Sequence, residues 1–105
     1  MFYRISLEDA ALDDIEQAAK WIARNAKINR ANKMAVWLDA LHKAIGSLEQ
    51  LPHRCPLARE NGFLSADVRQ LLFHQHRIIY TVIGDTVHVL HVRHQRQRPL
   101  TREDF

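Results

Sequence analysis

The dipeptide Gly84-Asp85 lies between two runs rich in aliphatic and β-branched residues, Arg77 to Ile83 and Thr86 to about His94, and constrains the fold more than any other feature. Glycine tolerates the positive φ that the first central position of a two-residue type II′ turn demands, and this turn's twist matches that of the strands it joins. The two runs therefore predict a β-hairpin with Ile83 opposite Thr86, and counting back sets Tyr80 opposite Val89. Side chains alternate along a strand, so Ile78, Tyr80, Val82, Val87 and Val89 share one face, continued by His91 and Arg93, and this face reads as core. The other face carries Arg77, Ile79, Thr81, Ile83, His88, Leu90, Val92 and His94. Aliphatic residues interleaved with polar tips predict an exposed surface there, suited to a docking peptide, with Arg77 and His94 near one another.

The remaining patterns supply what the hairpin packs against. Tyr3, Ile5 and Leu7 alternate with Phe2, Arg4 and Ser6, which predicts an N-terminal strand, and Val68 to Phe73 predicts another just before the hairpin. Leu12, Ile15, Ala19, Ile22 and Ala26 recur at helical spacing, predicting an amphipathic helix from near Glu8 to about Asn25. Ser6 and Asp9 resemble a capping signal, and the acids after them suit the positive end of a helix dipole. Met34, Leu38, Leu41, Ile45 and Leu48 predict a second helix after a short polar break at Lys27 to Asn29, so the two helices form an antiparallel hairpin. Leu51-Pro52 ends the second helix, and residues 52–66, with Pro56 and Gly62, read as a long loop. The fold class is α+β: an N-terminal strand, a two-helix hairpin, then three C-terminal strands in a small, mainly antiparallel sheet. Residues 95–105 read as a polar tail ordered only against a partner.

Composition sets the bounds. A chain of 105 residues closes one core, so residues 1–105 are expected to be one domain, without disulfides or a structural metal. No apolar run approaches the roughly 20 residues of a membrane span, and Met1-Phe2-Tyr3-Arg4 enters patterned sequence without a signal-peptide layout, which points to the cytoplasm and no membrane partner. Cys55, the single cysteine, reads as an incidental thiol. Trp21 and Trp37 read as helix-packing residues and Tyr80 as core. His74 and His76 bracket a turn, and His91 faces away from His88 and His94, so no three histidines converge and neither metal nor cofactor is expected. Charge is polarised: Glu8, Asp9, Asp13, Asp14 and Glu16 form an acidic stretch, whereas residues 69–98 hold Arg69, Arg77, Arg93, Arg96 and Arg98 against Asp85 alone. Guanidinium groups bind phosphate and carboxylate bidentately, so the C-terminal half is expected to face a polyanion or an acidic partner.

Val68-Arg69-Gln70-Leu71-Leu72-Phe73, then Arg77-Ile78-Ile79-Tyr80, then Asp85 to His94 with its Arg93-His94 ending, resemble the C-terminal half of RelE/ParE toxins, and residues 1–51 are similar in layout. The resemblance implies the toxin of a type II, plasmid-stabilisation toxin–antitoxin system, neutralised by a cognate antitoxin whose flexible segment wraps it. It also implies one of two targets: ParE-like toxins poison DNA gyrase, and RelE-like toxins cleave messenger RNA in the ribosome.

Metal-free RNA cleavage needs a base for the 2′-hydroxyl, cations for the phosphorane and an acid for the leaving oxygen. By resemblance Arg77 matches an arginine that contacts the scissile phosphate, and Arg93 a last-strand arginine, although the counted register sets Arg93 on the opposite face. His94 and Glu60 are the candidate acid–base groups. Several ribonuclease members carry tyrosine or histidine just beyond the last strand, whereas here Gln95-Arg96-Gln97-Arg98-Pro99 comes next. That departure favours the gyrase-directed reading, with the ribonuclease and a non-toxic nucleic-acid-binding domain using Arg69, Arg77, Arg96 and Arg98 as alternatives. The expected antitoxin- or target-binding surface comprises Arg69, Arg77, Ile79, His88, Leu90, Val92, His94, Arg96 and Arg98.

Overall fold

The computed structural model describes all 105 residues. Strand β1 spans Arg4–Leu7, helix α1 Asp9–Asn25, helix α2 Arg30–Gly46, and strands β2, β3 and β4 Val68–Phe73, His76–Ile83 and Thr86–His94. The sheet order is β1-β4-β3-β2, with β1 parallel to β4 and the other pairs antiparallel. This is the α+β arrangement that the patterning predicts.

Gly84 has φ +61° and Asp85 keeps a negative φ, as a type II′ turn requires, and Ile83 lies opposite Thr86. A second two-residue turn, His74-Gln75, joins Phe73 to His76 with His74 at φ 53°, a conformation that costs a non-glycine residue about 1–2 kcal/mol. Helix α1 starts after Glu8 without a side-chain cap, because Ser6 is occupied in β1 opposite His88; Asp9 in the first turn still complements the dipole. Helix α2 ends at Gly46, earlier than Leu51-Pro52, and one 3-10 turn, Ser47–Glu49, carries Leu48 into the core. The segment expected to be an irregular loop holds a further 3-10 turn at Pro52–Arg54. Leu41, Ile45 and Leu48 from the helical side meet Phe73, Ile78, Tyr80, Val87 and Val89 from the sheet.

The counted register holds as far as Tyr80 opposite Val89 and then shifts. Ile79 pairs with His91, so Leu90 is an extra residue, a β-bulge. The shift reverses every expected face assignment beyond it. Val92 lies opposite Ile78 and is buried in the main core, Arg93 lies opposite Arg77 on the outer face, and His94 lies opposite His76 on the helical side. The cause is local. Strand β1 ends at Leu7 opposite Val89 and α1 begins there, with Glu8 N–H donating to the Val89 carbonyl at 3.0 Å. Asp14 of α1 then takes the freed edge of β4, its Oδ2 accepting the Val92 N–H at 3.0 Å.

The outer face is also not the open patch expected. Ala58, Val68, Ile79 and Leu100 form a second buried cluster, with Leu64, Leu90 and Phe105 packed on it. The loop pairs with the β2 edge through Ala58 N–H to Val68 O (2.8 Å) and Gln70 N–H to Pro56 O (3.1 Å). Residues 95–105 fold back on their own chain. Thr101 and Asp104 form a capping box around the 3-10 turn Arg102–Asp104, and Phe105 sets its ring edge-on to Phe63 at 5.7 Å. Aliphatic side chains at Ile79 and Leu90 thus recruit the chain itself as cover.

Buried Tyr80 donates its hydroxyl to the Pro52 carbonyl, tying the loop to the sheet. Tyr80→Phe leaves that carbonyl unsatisfied and is expected to cost about 1–3 kcal/mol in equilibrium urea unfolding, with the native spectrum retained.

Candidate functional site

The bulge brings together two arginines that sequence counting separated. Arg77 on β3 and Arg93 on β4 are directly opposed on the outer face, where like charges repel unless a counter-charge intervenes. Glu60 supplies it from the loop. Arg77 Nη1 and Nη2 donate to Glu60 Oε1 and Oε2 at 3.0 and 2.9 Å, and Nη1 also donates to Gln70 Oε1 at 2.9 Å. Glu60 is fully buried. Burial alone would raise its carboxyl, but the Arg77 hydrogen bonds, a backbone N–H, and the Arg77 and Arg59 charges outweigh it and hold the group below its ordinary 4.5.

Beside this pair opens a cleft of about 330 Å³ lined by Arg59, Arg77, Arg93, His94, Gln95, Gln97, Arg98 and Pro99. Arg98 is engaged by Asp104 in two bonds of 3.0 Å, and Arg93 Nη2 donates to the Arg98 carbonyl at 2.6 Å. Two carboxylates therefore serve four guanidinium groups, which leaves the cleft electropositive.

His94 sits at the rim. Its Nδ1 accepts the Arg96 N–H at 3.0 Å, so the proton of the neutral ring lies on Nε2, which donates to Gln75 Oε1 at 3.2 Å. Its ring meets His76 edge-on at 5.0 Å. Burial, with the neighbouring His94 and His74, pushes His76 down to about 4, so that ring is neutral.

On the helical side a groove of about 1070 Å³ runs between α1, the His74-Gln75 turn and the end of β4. Trp21, Trp37, Val92, His74, His76 and His94 line it, with Lys20, Arg24 and Arg96 also bordering it. Trp37 packs on Phe73 at 6.0 Å, as a helix-packing residue should, but Trp21 is 57% exposed. The signal was present in the sequence, since Trp21 falls outside the stripe of Leu12, Ile15, Ala19 and Ile22. Arg59 and Asp14 are further site residues that patterning missed, because a loop arginine and one acid among five carry no periodicity.

Other expected surface residues are structural. Ile79 and Val92 are buried, and Leu90 is half-buried in the second cluster. Arg69 donates to the Cys55 carbonyl at 2.7 Å and so holds the loop. His88 Nδ1 lies 2.9 Å from Glu8 Oε1 at the start of α1. Arg96 and Arg98 are exposed, although Arg98 is bound within the tail. No group of three or more histidine, cysteine or acidic side chains converges to hold a metal ion, and no helix is long and apolar enough to cross a membrane.

Comparison with known proteins sets this arrangement among the toxins of type II toxin–antitoxin systems. The chain belongs to the ParE toxin family, described as the ParE toxin of the type II toxin-antitoxin system parDE, which matches residues 5–99. A solved structure titled "Chromosomal ParDE TA system from P. aeruginosa" is similar in fold, with a TM-score of 0.70 and 13% identity over 89% of this chain and 96% of that one. No curated protein sequence matches.

Ionised Glu60 stabilises the fold above its ordinary 4.5, and that contribution is lost as pH falls through its lowered folded-state value. Glu60→Gln breaks a buried pair and is expected to cost about 3–5 kcal/mol near neutral pH. It should also flatten the acid limb of the stability profile, measured by urea unfolding from neutrality down to about pH 2.

Proposed function

We propose that this chain is a ParE-type toxin that acts on DNA gyrase in the cytoplasm and is held silent by a cognate antitoxin, with residues 1–105 working as one toxin domain. The observation that carries this reading is the state of the groups a nuclease would need. Arg77 is neutralised by a fully buried carboxylate, and that carboxylate is held ionised where neither solvent nor a 2′-hydroxyl reaches it. Both ring nitrogens of His94 are occupied by the protein, and the Tyr80 hydroxyl is buried against Pro52. A phosphorane would meet positive charge from Arg59 and Arg93 but no poised acid–base pair. Binding chemistry is what these groups support.

The surface proposed for antitoxin or target is correspondingly revised: Arg59, Arg93, His94 and Arg96, which join the electropositive cleft to the aromatic groove. An acidic partner segment with an apolar anchor complements both.

Purified toxin is expected to inhibit gyrase supercoiling and accumulate cleaved plasmid, with rescue by the antitoxin. Intact supercoiling activity accompanied by codon-positioned transcript cuts after induction would overturn this reading in favour of the ribonuclease. Arg93→Glu is expected to weaken antitoxin binding by about tenfold or more at low salt, with a smaller loss at high salt, as titration calorimetry can measure.

A further inference from the structure

His91 sits at the bulge where α1, β4 and the C-terminal tail meet. Its Nδ1 lies 3.0 Å from Asp14 Oδ2, and its Nε2 lies 2.7 Å from the Asp104 backbone carbonyl. Neither partner has a proton to give: the carbonyl is an acceptor, and Asp14 Oδ2 already accepts the Val92 N–H. A neutral imidazole carries one N–H and can satisfy one of the two. Only the imidazolium donates to both, and the side chain is 9% exposed, so water is a poor substitute on either nitrogen.

The tail depends on few such ties. Its bidentate Arg98–Asp104 pair and its Thr101–Asp104 capping box lie within residues 98–104 and do not attach it to the sheet. Residues 95–97 are tied to the His74-Gln75 turn and to His94, whereas polar attachment of residues 98–105 comes from Arg93 to the Arg98 carbonyl, Arg102 to the Gly62 carbonyl at 3.2 Å, and His91 to the Asp104 carbonyl. Of these three donors only histidine changes charge near neutral pH. Leu100 and Phe105 add apolar contact, the Phe105 ring lying edge-on to His91 at 5.1 Å.

We propose that protonated His91 is a clasp that fastens the tail over the outer face of the sheet, and that its deprotonation loosens the tail and uncovers the apolar cluster of Ala58, Val68, Ile79 and Leu90. The charged groups facing the ring are Asp14 from α1 and Arg93 from β4, while the Asp104 carboxylate of the tail is taken by Arg98. Burial opposes the charged ring, as does Arg93, but the Asp14 and Asp104 hydrogen bonds and the Asp14 charge outweigh them and raise the group above 6.5. The clasp is therefore closed below that ordinary value and opens as pH rises through the raised one. It involves the tail alone and stands or falls independently of the gyrase assignment.

The test is NMR on the intact 15N-labelled chain, following the imidazole nitrogens and the amide-exchange protection of Thr101–Phe105 across pH. Both His91 nitrogens are expected to be protonated below the ordinary 6.5, and tail protection to fall about tenfold as pH rises through the raised His91 titration while β3 amides hold. His91→Gln should give a tail of low, pH-independent protection. Asp14→Asn, which keeps an acceptor for Val92, should return the His91 titration toward or below its ordinary value, and this outcome does not depend on His91→Gln folding. A His91 titration at or below its ordinary 6.5, or tail protection that ignores the titration, overturns the clasp.

Discussion

One carboxylate fixes the geometry on which the rest of the molecule depends. Asp14, carried by the second turn of α1, accepts the Val92 N–H where β1 has stopped pairing and so stabilises an extra residue in β4. From that residue onward the strand's side chains exchange faces. Val92 becomes core, His94 turns to the helical groove, and Arg93 arrives beside Arg77. Without the bulge the two arginines would lie on opposite sides of the sheet and the electropositive cleft would not exist. A helix–strand hydrogen bond thus determines the electrostatics of a site on the far side of the sheet.

Much of the fold was legible because it arises from period and turn chemistry. The two helices, the order of the strands and the Gly84-Asp85 turn emerge from spacing alone, as does pairing up to Tyr80 and Val89. The bulge was not legible, since Val89, Leu90, His91 and Val92 fit simple alternation nearly as well as an inserted residue, and the deciding acceptor lies 78 positions away in sequence. The outer face misled for a related reason. Ile79 and Leu90 announce that something must cover them, but period does not distinguish a partner from the chain's own loop and tail. The tail looked solvated because its polar residues satisfy one another, as Arg98, Thr101 and Asp104 do.

Charge around the outer cleft is unevenly paired. The buried guanidinium, Arg77, has a dedicated carboxylate, and the tail arginine, Arg98, has another; Arg59 and Arg93 have none. The arrangement keeps desolvated charge neutral and leaves the uncompensated cations at the surface, where they can steer an acidic or nucleic-acid-bearing partner at range. The sequence-level arginine bias is real, but only part of it is available for binding.

The parallel pairing of β1 with β4 has a temporal side. Residues 4–7 find their partners at residues 86–89, so the sheet's second edge cannot form until β4 exists. Nascent β1 and the helical hairpin wait without their core until β2, β3 and β4 have been synthesised, on the order of ten seconds at ordinary elongation rates. The fold, and with it any harm the protein can do, is completed only after β4 has emerged from the ribosome that made it.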